Sequence, residues 1–269
     1  MSIFPVNFII KGENIVKKCL LLILFVFIFI LTGLLFSCKP SDKTPEVKKI
    51  DLKEYSHKYN PYEITRDKTY TFTNGLVAEK LIEYEYGEYK FLLFKDYFGS
   101  IILASGYKNI GDVLLTVSEN GEEYPYPIEN IKFTEFKNVL GHDGVVISYP
   151  EGANSKQIIY FSCDNNGIQP LALCNKSNYE VDITGDNIND LLSWRNNQID
   201  IIYLHDGELY TIEVAGLINT EVLNKELSIN AAGCHYDSEN NKIYAGGYKD
   251  NEYIEVEAFI ENCILYYKY

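Results

Sequence analysis

The chain has 269 residues and a formal net charge of −14, from 38 acidic and 24 basic side chains. Such a surface repels phosphate backbones, which argues against a nucleic-acid partner. The length leaves room for one domain of ordinary size with its own core.

The first element is an apolar run. Lys17 and Lys18 precede it, and residues 19–36 carry no charge. Lys39-Pro40-Ser41-Asp42-Lys43 then changes the composition abruptly. A basic start, an apolar core and a small residue at the cut form a secretory signal. The closing tetrapeptide Leu35-Phe36-Ser37-Cys38 resembles a bacterial lipobox. That resemblance implies diacylation of the Cys38 sulfur and cleavage before it. The signal peptide would be 1–37, and the remainder would sit outside the cytoplasm on a membrane. An uncleaved spanning helix is the other reading, with the same orientation. Residues 1–37 hold three lysines and Glu13, so their removal takes the net charge of −14 down to −16. An acidic domain is not drawn to anionic headgroups, so the anchor must hold it at the bilayer.

Residues 38–67 read as the lipidated cysteine and a flexible linker, with mixed charges, three prolines and few apolar residues. From 68 to 269 the pattern is short strands and turns. Candidate strands are 81–86, 89–97, 101–103, 113–117, 144–149, 157–161, 199–204 and 208–214. A C-terminal meander follows, at 232–236, 242–248, 252–260 and 263–269. Four strands in so few residues match one propeller blade. No long helical period follows residue 40. The fold class expected is all-β, either a divergent β-propeller-like domain or a β-sandwich.

The strongest chemical motif is Asp182-Ile183-Thr184-Gly185-Asp186-Asn187-Ile188-Asn189-Asp190. Side-chain oxygens stand at its positions 1, 3, 5 and 9, and Ile188 offers a backbone carbonyl. Calcium takes six to eight hard oxygen ligands, and this spacing wraps a tight loop around such a cation. Three close carboxylates repel one another unless a cation lies between them. Gly185 and Asn187 tolerate the positive φ such a curl needs. It is not an EF-hand: Ser193 stands where a bidentate carboxylate belongs. The loop resembles the calcium element of FG-GAP and VCBS-type repeats, which lies between two propeller strands. That resemblance covers about a dozen residues and implies a structural calcium held by Asp182, Thr184, Asp186, Ile188 and Asp190. It departs at Thr184 and Asn187, where a stronger ligand and glycine are usual. The other reading is an Asx-rich turn without metal. A weak repeat accompanies it: Val139–Gly144 resembles Ile202–Gly207. The Asp-Gly dipeptide in each reads as a hairpin turn.

Cys163, Cys174, Cys234 and Cys263 permit disulfides in an exported chain, or are buried free thiols. The 23 tyrosines suit half-exposed strand faces, or saccharide platforms. No G-x-S-x-G, H-E-x-x-H or phosphate-binding glycine loop occurs. Glu83 and Glu85 would share one strand face. No catalytic residue is assigned. The expected role is a membrane-anchored binding or scaffolding module, with a cell-wall glycan or envelope protein as ligand. An extracytoplasmic glycan hydrolase with paired carboxylates is the alternative.

Overall fold

The computed structural model describes residues 46–61, 72–118, 124–152, 155–175, 177–195 and 197–269. The signal segment and, within the expected linker, residues 38–45 and 62–67 lie outside them. Val47–Tyr269 forms one unit. Among the described residues, no helix is long and apolar enough to cross a membrane.

The protein is all-β, built from four antiparallel sheets that follow one another along the chain. The first holds β3 (Val77–Tyr86), β4 (Tyr89–Asp96), β5 (Ile101–Tyr107) and β6 (Asp112–Ser118). The second holds β7 (Lys132–Val139), β8 (His142–Gly152), β9 (Ser155–Asp164) and β10 (Gly167–Asn175). The third holds β11 (Ser177–Val181), β12 (Asp190–Arg195), β13 (Gln198–His205) and β14 (Glu208–Glu213). The fourth holds β15 (Asn230–Asp237), β16 (Lys242–Lys249), β17 (Glu252–Glu261) and β18 (Ile264–Lys268). Each is a simple meander in which consecutive strands pair.

Two further strands come from the segment expected to be linker. β1 (Lys48–Asp51) pairs with β18, and β2 (His57–Lys58) pairs with β14. Between them, Leu52 is buried and its amide donates to the Cys263 carbonyl at 2.9 Å. The few apolar residues here suffice because the partner strands supply the rest of the core.

The core explains the strand sequences. Phe91, Leu93 and Leu103 of the first sheet pack on Val145, Ile147, Ile159 and Phe161 of the second. Phe136, Val139, Tyr160 and Leu171 of the second pack on Leu191 and Ile202 of the third. Leu192, Ile199, Ile201 and Tyr203 of the third pack on Ile243, Ala245, Val256 and Ala258 of the fourth. Three of the buried clusters among the described residues thus join consecutive sheets. A sheet covered on both faces reads as a continuous apolar run, as in Phe91-Leu92-Leu93-Phe94, where Leu92 and Phe94 face Phe72 and Leu76 instead. β17 of the last sheet alternates, with Val256, Ala258 and Ile260 buried and the residues between them facing out.

Besides short 3-10 turns, one longer helical stretch interrupts the strands among the described residues. α1 (Val214–Leu217) continues into π-type turns over Ile218–Glu226. The sequence reading carries a strand through residue 214 and expects no long helix after residue 40. Its signal is Val214, Ile218 and Val222, which are buried between the third and fourth sheets. Glu213 caps it, Oε2 accepting from the Gly216 amide at 2.6 Å.

The two Asp-Gly dipeptides differ. Asp206 and Gly207 form the β13–β14 turn, with φ of 52° and 77°. In the second sheet the turn lies earlier, at Leu140 and Gly141, with φ of 50° and 78°. Gly144 is inside β8, where an added Cβ would strike the Phe161 carbonyl. Packing of Val139 and Leu140 into the second–third core shifts that turn.

Candidate functional site

The loop from Asp182 to Asn189 connects β11 to β12, and its curl follows from its side chains. Asp182 Oδ1 accepts from the amides of Gly185 (2.6 Å) and Asp186 (3.2 Å), and Oδ2 from that of Asn187 (2.9 Å). Asp186 Oδ1 accepts from the Ile188 amide at 2.8 Å. Asp190 Oδ2 accepts from the amides of Ile183 (2.8 Å) and Thr184 (2.9 Å). Gly185 and Asn187 take φ of 78° and 66°. Carboxylates at the first, fifth and ninth positions therefore replace the ladder partners that the backbone lacks here.

Asp190 is the unusual member. Its side chain is fully buried, at 0% exposure, and Oδ1 has no hydrogen-bond partner. Burial pushes its carboxyl up to about 6; the two amides on Oδ2 and the Thr184 hydroxyl oppose this, and nearby Asp186 adds to it. An orphaned, buried carboxylate oxygen is costly unless a proton or a cation meets it.

Three sheets meet at this loop. The Leu140 amide donates to the Asn189 carbonyl (2.8 Å), and the Asn189 amide to the Asn138 carbonyl (3.0 Å). Asn138 Nδ2 donates to the Asn187 carbonyl at 2.8 Å. These bonds tie the loop to the β7–β8 turn. On its other side the Cys263 amide donates to the Ile183 carbonyl at 3.1 Å. Asn262 lies against Gly185, where an added Cβ would land on its Oδ1. The motif alone identifies neither Asn138 nor Asn262. Their signal is weak: Asn138 stands at the irregular end of β7 and Asn262 in the β17–β18 turn, each with φ of 51°.

The donor set suits a hard cation: carboxylates, a threonine hydroxyl and a backbone carbonyl. Among the described residues, no three His, Cys, Asp or Glu side chains gather into a metal-holding cluster. The oxygens of Asp182 are turned onto loop amides. Asp190 Oδ1 is the atom that a calcium ion would satisfy.

The other candidates fall elsewhere. Glu83 and Glu85 are exposed on β3, with Lys80 at 3.6 Å and Lys90 at 2.8 Å respectively. His142 and His205 lie 3.5 Å from Asp164 and Asp206, and His235 stacks on Tyr244. All four cysteines are free thiols. Burial pushes Cys163, Cys174 and Cys234 up to about 12 and Cys263 to about 11. A carboxylate pair that the sequence reading misses is Asp200 and Glu213, directly opposed across β13 and β14. Burial, and then Glu213, raise the Asp200 carboxyl above its ordinary range. Glu213 Oε1 is buried without a partner. No family model matches the chain, and no match is found among curated proteins or solved structures.

Proposed function

We propose that this is a lipid-anchored surface protein, held to the membrane through Cys38, whose β-domain is a calcium-stabilised, non-catalytic binding or scaffolding module. Asp182, Thr184, Asp186, Ile188 and Asp190 supply the ligands, Ile188 through its carbonyl. The observation that carries this reading is the unpartnered Asp190 Oδ1, buried in a loop rich in hard oxygen donors. The cation acts structurally: it draws together the carboxylates of a loop on which turns from two other sheets rest. Anything that binds the folded state alone raises its stability by mass action.

We read the four meanders as divergent blades of a propeller-like arrangement rather than the halves of a sandwich. Their sequential order and their one-on-the-next packing support this.

Thermal unfolding of the full chain in lipid nanodiscs, with excess calcium and then with chelator, tests the cation. Calcium should raise the melting temperature, and Asp186→Ala should abolish the rise. No shift in the unaltered protein would leave the loop an Asx-capped turn. A glycan hydrolase is the second reading, and the Asp200–Glu213 pair is what favours it. Glu213 already caps α1, which is a structural use for that carboxylate.

A further inference from the structure

We propose that the cleft between the Asp182–Asp190 loop and the hairpin tips of the fourth sheet binds a neutral saccharide. The proposal rests on the reading of the domain as a binding module and names its ligand class.

The cleft has a volume of about 410 Å³ and is lined by Asp182, Gly185, Asn241, Phe259, Glu261 and Asn262. That volume falls within the range of small-ligand sites, roughly 300–1,000 Å³. Its wall is an aromatic ring. Phe259 lies on the outward face of β17, between buried Ala258 and Ile260, and is 37% exposed. Its ring stacks on Tyr266, with centroids 5.0 Å apart and planes at 13°. The ring is therefore a held, flat apolar surface open to solvent.

Polar groups of one kind surround it. Glu261 offers a carboxylate acceptor, and Asn241 and Asn262 offer amides that both donate and accept. The Asn241 amide is oriented by the Tyr236 hydroxyl, which donates to its Oδ1 at 2.9 Å. Asn262 is placed by its contact with Gly185, where only a glycine leaves room. No lysine or arginine lines the cleft. With the Glu261 carboxylate facing it and no basic side chain to offset that charge, the cleft disfavours phosphate, sulfate and uronate groups. What remains is a ligand with hydroxyls for the carboxylate and amides and an apolar C–H face for the ring. A pyranose has both on one molecule. Asp182 belongs to the loop as well as the cleft, so ordering of the loop by calcium also orders this wall.

The full chain in nanodiscs, free of glycosidic detergent, is titrated calorimetrically with gluco-, manno- and chito-oligosaccharides, in calcium and in chelator. Saturable binding of a neutral oligosaccharide is expected. Phe259→Ala should weaken it about tenfold or more without removing the calcium-dependent rise in melting temperature. Glu261→Gln should weaken it also, with the melting temperature unchanged. No binding of any neutral oligosaccharide at about 10 mM, or binding indifferent to Phe259→Ala, overturns the proposal. Binding of polyuronates in place of neutral sugars overturns it too. Absent sugar binding with an intact calcium shift refutes the cleft alone. Sugar binding without any calcium shift supports the cleft and refutes the cation.

Discussion

Replacing Gly185 with alanine tests how the third sheet is joined to the fourth. Two costs follow from the structure. Gly185 has a φ of 78°, where a residue with a Cβ loses roughly 1–2 kcal/mol. The new Cβ would also land on Asn262 Oδ1, with Asn262 Cγ only 3.2 Å away. Swinging that short side chain out of its rotamer costs about 1 kcal/mol. The sum is roughly 2–3 kcal/mol, or about 5–10 °C in melting temperature for a domain of this size. Asn262→Gly separates the two parts. It removes the obstructing amide, and its own φ of 51° suits glycine. The double variant should therefore recover about 1 kcal/mol relative to the sum of the singles. Urea unfolding followed by circular dichroism, in chelator so that no cation contributes, gives the three differences. Additivity within about 0.5 kcal/mol would show that the loop and the β17–β18 turn do not meet as described.

The Asp200–Glu213 pair makes a prediction about pH. The Asp200 carboxyl is raised above its ordinary range in the fold. Its charge therefore costs stability above the folded pKa, and that cost disappears below the unfolded value near 4. Asp200→Asn should stabilise the protein at pH 7 by up to about 1 kcal/mol. The gain should shrink to nothing toward pH 4, which urea unfolding at both pH values measures. A gain equal at both would mean that the fold does not raise the Asp200 carboxyl. The thiols give a simpler test. With Cys163, Cys174, Cys234 and Cys263 free and their pKa values raised, a disulfide-exchange reagent should label them slowly in the native state and rapidly in denaturant. Failure to label them in denaturant without reductant would reveal disulfides.

The last sheet was the most legible part of the chain. The strands expected at 232–236, 242–248, 252–260 and 263–269 are β15 to β18, with no end moved by more than two residues. Their alternation is visible because one face is wet, and their turns are short and rich in asparagine. The turn after β17 is Asn262-Cys263, one residue later than expected. In the third sheet, β11 and β12 flank a loop whose carboxylates are themselves the sequence signal. Those two strands were not picked out, since Ser177–Val181 and Asp190–Arg195 are short and only half apolar. β7 and β10 were missed for a related reason. Lys132–Val139 carries lysines, a glutamate and an asparagine, and Gly167–Asn175 contains Pro170, at a register irregularity. Both are the outermost strands of their sheet.

The sequence by itself determined the β class, the turn chemistry and the acidic loop. These depend on neighbours within a few residues, where alternation, glycine, asparagine and carboxylates act directly. Which sheet faces which was left to the tertiary structure. So was the recruitment of Lys48–Asp51 and His57–Lys58 to distant strands. The loop shows the difference most clearly. Its curl is encoded by Asp182, Asp186 and Asp190, but its fastening depends on Asn138 and Asn262. The first is 49 residues from the Asn187 carbonyl that it reaches, and the second comes from another sheet. Such contacts form when long loops close around a shared core. No local pattern within a strand or turn records them.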